Sequence, residues 1–152
     1  MRRTVRVLAL CLPFLCAGCG GEGLARQTAV DPIPAEIDWT RTDPLAFLHL
    51  LVEHPGETFS VSTPPPVGWI TADHVEALME RIDSREPASV VVSSLSSFVP
   101  LEPASTEGRE ALFLIEGLRE GNYPPRLCSV HYFEPDLEEY RVWWAERRQQ
   151  GY

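Results

Sequence analysis

Lysine is absent from these 152 residues, and all 13 basic residues are arginine. With so much Ala, Pro and Gly alongside, that choice reflects the codon usage of a GC-rich genome more than a function. Positive charge is scarce altogether: 22 acidic residues give a formal charge of −9. Arg2, Arg3 and Arg6 fall within residues 1–18, which hold no acid, so ten arginines face 22 acids in the remainder, a charge of −12. Such a field excludes nucleic acid as a partner, because that binding depends on cations replacing condensed counterions. It also disfavours electrostatic attachment to anionic lipid. Long hydrophobic runs are missing too. The longest, Val7–Ala17, has 11 residues and contains Pro13, whereas a membrane-spanning helix needs about 20. Several reactive signatures are also lacking: the Gly-x-Ser-x-Gly elbow, His-Glu-x-x-His, a Cys-x-x-Cys beyond residue 19, an acidic calcium loop, and a Gly-rich loop leading into a helix. No catalytic residue, metal ligand or cofactor is assigned on this basis.

What is present begins with the N-terminus. A basic start, an apolar run and a small-residue exit (Gly18, Gly20, Gly21) form the pattern of a secretory signal. Within it, Leu15-Cys16-Ala17-Gly18-Cys19 resembles the lipobox of bacterial lipoproteins, although Cys16 stands where that family usually has Leu. The resemblance implies that Cys19 takes a diacylglyceryl thioether and that the chain is cut just before it. It covers about 20 residues and implies nothing about the rest. Acyl chains on one residue hold firmly, each buried methylene contributing about 0.8 kcal/mol. Gly20 rather than Asp after the cysteine implies, by the enterobacterial pattern, sorting to the outer membrane. The expected location is the cell envelope, lipid-anchored and facing the periplasm. Cys11 and Cys16 leave with the signal, so Cys128 alone remains and no internal disulfide can form; a lone cysteine of this kind is expected to be buried and inert.

Residues 1–18 are thus expected to be a signal peptide, 19–36 a lipidated flexible tether rich in Gly and polar residues, and 37–152 a single small globular domain. Asp43-Pro44 opens a first helix, apolar nearly all round and therefore expected to be central. Thr58–Ser62 alternates like a short strand, and Pro64-Pro65-Pro66 is a stiff connector. Thr71 caps a second helix with Val75, Leu78, Met79 and Ile82 on its buried stripe. A third helix is expected from Pro87, using Val91, Val92, Leu95, Phe98 and Val99, although valines favour strands. Ser105 or Thr106 caps the clearest helix, which ends at Gly121-Asn122. Leu127–Phe133 has strand character, and Asp136 caps a last helix running to Gln149. The fold class expected is mainly α: a compact bundle of four to five short helices with at most a small β element. The runs Ser-Ser-Leu-Ser-Ser and Glu-Ala-Leu-Phe-Leu-Ile-Glu-Gly resemble small uncharacterised bacterial proteins, which implies no activity.

Candidate chemistry is thin. Ser93, Ser94, Ser96 and Ser97 crowd one segment, where serines usually serve backbone hydrogen bonds. Cys128 and His131 are three apart, which on a strand places them on opposite faces. His49 and Glu53 could share a helical face, but a metal site needs three or four converging ligands. The strongest lead is the aromatic C-terminal helix. Adjacent Trp143 and Trp144 lie about 100° apart on a helix, so one enters the core and the other is free for contact. Tyr140, Trp143, Trp144 and Arg147 are the expected binding residues, since Trp, Tyr and Arg dominate binding hot spots. The function expected is a non-enzymatic binding or accessory protein of the envelope, with an immunity-like protein as one specific version, the membrane as one partner through Cys19 and an envelope protein as another. The alternative is a small envelope hydrolase using Ser93–Ser97 or a His49/His74/His131 site.

Overall fold

The computed structural model describes residues 36–94, 96, 104–125 and 133–151. Asp43 starts α1 (Pro44–Glu53): its Oδ1 accepts from the Leu45 and Ala46 amides at 2.8 and 2.9 Å, and Pro44 needs no partner at the first helical position. His54 closes the helix, and Gly56 turns the chain at φ 82° into β1 (Thr58–Val61). Thr71 precedes α2 (Ala72–Met79), where His74 Nδ1 accepts from the Thr71 amide at 3.1 Å. Ile82 lies past the end of α2 but is still buried.

The helix expected from Pro87 is not formed. Pro87–Ala88 is β2 and Val90–Ser93 is β3, running parallel to β1 in the register Thr58↔Val90 to Val61↔Ser93. The Val90 amide donates to Glu57 O at 2.9 Å and the Ser94 amide to Val61 O at 3.1 Å. Three successive valines, all buried, satisfy their backbone in this ladder and pack their branched side chains on its faces, which a helix would restrict. Leu95, Phe98 and Val99 lie outside the described residues, as do Leu127–His131 and Tyr132 of the expected later strand. Antiparallel to β2 runs β4 (Ser105–Thr106). The architecture of the described residues is therefore mixed α/β: four helices, a two-stranded parallel sheet and a two-stranded antiparallel pair.

The longest helix, α3 (Glu107–Glu120), starts on Thr106 and ends at Gly121, whose φ of 69° supplies the left-handed cap. Every residue from Glu110 to Ile115 is buried, so α3 is as central as α1. It comes close to its neighbours: a side chain at Gly108 would meet Ile82 O at 2.5 Å. Around Phe47, the rings of Trp39, Phe59, Trp69 and Tyr123 gather at centroid distances of 5.3–6.0 Å, mostly edge-on. The indole N–H groups of Trp39 and Trp69 donate to Thr63 O and Thr42 O, both at 2.7 Å, tying the Pro64–Pro66 connector down at both ends. Last comes α4 (Leu137–Gln149), capped by Asp136 Oδ1 on the Glu138 amide at 2.9 Å. Among the described residues no helix is long and apolar enough to cross a membrane.

Candidate functional site

The α4 residues singled out from the sequence divide by role. Tyr140 and Trp144 are buried, Trp143 is half-buried and Arg147 is exposed. Heptad-like spacing of Tyr140 and Trp144, four apart, places both on the inner side. Both spend their polar atoms there. Tyr140 Oη donates to Glu116 Oε2 at 2.5 Å, and Trp144 Nε1 donates to Glu76 Oε2 at 2.8 Å. Burial first, and then the Glu116 carboxylate, raises the Tyr140 pKa, so its hydroxyl stays a donor. The Arg119 guanidinium lies 4.8 Å above the Tyr140 ring and 5.4 Å above that of Trp143. It also pairs with Glu116 at 3.2 Å and Glu139 at 2.9 Å. Arg141 grips both oxygens of Asp83 at 2.7 Å, and Arg148 reaches Glu76 at 3.3 Å. Two of the four residues thus fasten the helix. Trp143, with Val142 at 49% exposure and Arg147 beside it on the chain, forms the outward edge.

The catalytic alternative is less well served. His49 Nε2 meets Glu53 at 3.3 Å on an exposed face of α1. Buried His54 lies 3.8 Å from Glu57, and His74 caps α2. Those positions are spread over α1, its C-terminal cap and α2. Ser97, Cys128 and His131 lie outside the described residues, as does Cys19. Among the described residues no group of three or more His, Cys, Asp or Glu is placed to hold a metal ion.

Sequence reasoning missed a buried polar cluster. Glu107 and Glu110 both read as first-turn acids favoured by the helix dipole, but their surroundings differ. Burial raises the Glu107 carboxyl, yet hydrogen bonds with Ser84 and Arg81 and the charges of Arg81 and His49 outweigh it, so its pKa ends low. Glu110 is wholly inside. Among the described residues neither of its oxygens has a hydrogen-bond partner, nor do the buried Ser105 and Tyr123 hydroxyls. Ser105 and the Val91 amide pull the pKa down without reaching hydrogen-bond geometry, but burial dominates and pushes it up to about 8. Tyr123 is raised as well, by burial and then by the Glu110 charge. At neutral pH this carboxyl carries its proton. The apolar run Ala111–Ile115 follows directly after it, but such a run does not by itself bury the turn before it: Glu107 and Arg109 stay partly exposed.

No protein-family model matches this chain, and neither a curated protein nor a solved structure matches it.

Proposed function

We propose that the chain is a lipid-anchored protein of the cell envelope that works by binding, not catalysis, with the outer edge of α4 as its recognition surface and an envelope protein as its partner. The observation carrying this reading is the division of labour on α4. Tyr140 and Trp144 are the buried anchors of the helix, while Trp143, packed only in part against the core, keeps an accessible portion of its ring braced by Arg119. A braced aromatic loses little conformational freedom on binding, which favours affinity. The anchor rests on the Ala17-Gly18-Cys19 signature.

The test has two arms. Intact mass of protein purified from bacterial membranes, beside a Cys19→Ala variant, should show an acylated chain beginning at Cys19 only in the wild type. A soluble, unmodified chain cut near Ala17 would sink the anchor. Trp143→Ala and Arg147→Ala should each weaken capture of an envelope partner about tenfold or more, as hot-spot truncations do. Unchanged capture would remove α4 as the surface.

A further inference from the structure

A second face of the molecule has features that the α4 reading does not use. From Thr58 to Ala72 the chain has no ionisable residue, in a protein that is 23% charged. At the centre of this stretch Val67 is 99% exposed, with Pro64 and Pro66 exposed beside it. Nothing about this loop is loose: Trp39 and Trp69 hold its ends through their indole N–H groups, and the Trp69 amide donates to Pro66 O at 3.1 Å. The tip is thus an apolar side chain displayed on a fixed support. Isolated apolar residues on a surface are ordinary; a wholly exposed valine at the tip of an uncharged, aromatic-backed loop is not explained by packing.

Where the chain leaves this face indicates what covers it. A groove runs from Pro64 and Pro66 past Trp39 to Glu36, the first described residue. Sixteen residues lie between Cys19 and Glu36, a span of at most about 60 Å even when fully extended. The segment leading back to Cys19 joins the domain on the side that carries the loop. With −12 on the chain after residue 18, most faces would be repelled by an anionic surface. The loop itself carries no charge of either sign, only prolines, an exposed valine and the indoles behind it, and indoles settle at the boundary of a bilayer; the acids of this face, Glu36 and Asp38, line the groove beside it.

We propose that the Pro64–Trp69 loop rests on the bilayer, with Val67 entering a surface of zwitterionic headgroups and the Trp39–Trp69 pair behind it. This inference rests on lipidation at Cys19. The acyl chains supply the affinity, and the loop sets the orientation, turning the remaining surface toward the periplasm.

The test places a photoreactive benzophenone side chain at position 67 or, for comparison, at the exposed position 142, in the full chain expressed in bacteria. Both sites face solvent, so folding is not at stake. After irradiation of the membranes, the mass at Cys19 and the identity of the adducts are read from the same sample. Acylated protein with lipid adducts at least tenfold more abundant at 67 than at 142 is the expected result. Acylated protein with equal lipid adducts at both positions, or with a protein adduct at 67, overturns the loop's role and leaves the anchor standing. Unacylated protein overturns the anchor, and this orientation with it.

Discussion

Replacing Glu110 by Gln should stabilise the protein at neutral pH and remove most of a pH dependence. In the unfolded chain this carboxyl titrates near 4.5, and in the folded protein near 8. Between those values the folded state holds a proton that the unfolded state has released. The stability associated with this group is therefore fully present below about pH 4.5 and is lost as pH rises to about 8. A difference of roughly 3.5 units at 1.36 kcal/mol each amounts to about 5 kcal/mol across the window, of which about 3 has gone by pH 7. Glu110 is 0% exposed, so no solvent screening reduces the figure. Against a total stability of about 5–15 kcal/mol, the effect is large. The amide of Glu110→Gln keeps the shape and cannot ionise.

The assay is urea unfolding of both proteins at intervals from pH 5 to pH 9. The wild type should lose stability steadily toward pH 8, and the variant should stay nearly level. Glu107 does not confuse the reading, because its lowered pKa confines its contribution to the acid side, where stability falls as pH drops. A wild-type profile that is flat or rises over this window would refute the reasoning. So would a Glu110→Gln variant with the wild-type slope.

Other substitutions probe other parts of the fold. Gly108→Ala improves helix propensity by about 1 kcal/mol but drives a methyl into Ile82 O at 2.5 Å and Ser84 O at 2.7 Å; thermal unfolding should show a net loss of about 1–3 kcal/mol. Asp43→Ala removes the acceptor for two amides of α1 and should cost about 1 kcal/mol by denaturant titration. Trp144→Ala should cost about 3–5 kcal/mol, since that ring is 7% exposed and hydrogen-bonded to Glu76. Trp143→Ala should cost clearly less in the same measurement, and equal losses would contradict the division of labour on α4.

The caps and stripes were legible in the sequence. Asp43-Pro44, Thr71, Thr106 and Asp136 open helices where their side chains indicated, and Gly121 ends one by its left-handed backbone. The segment from Pro87 was not, because Val91, Val92 and later apolar residues fit helical spacing while the deciding factor, a parallel partner at Thr58–Val61, lies some 30 positions earlier. The alternation of Thr58–Ser62 was legible, but the spacing of Val91 and Val92 holds no trace of the partner that makes them a strand. At the candidate site, the angular separation of Trp143 and Trp144 was enough to predict that one turns inward. Which one could not be read, since that depended on Glu76, a residue 68 positions away. Glu110 was hidden for a similar reason: a first-turn acid has a local explanation, and only the neighbouring elements reveal that α3 has no wet side there.

The way α4 is fastened bears on the order in which the chain assembles. The core formed by α1, α2, α3 and the β1–β3 pair is contiguous without it, and α4 contributes only Tyr140 and Trp144 as buried side chains. A chain emerging N-terminus first can close that core before residue 137 appears. The folding nucleus should then lie upstream, with α4 joining after the barrier is crossed. Truncating Tyr140 or Trp144 should accordingly speed unfolding and leave the refolding rate almost unchanged, with φ near zero. Slowed refolding in stopped-flow measurements would place α4 inside the nucleus instead.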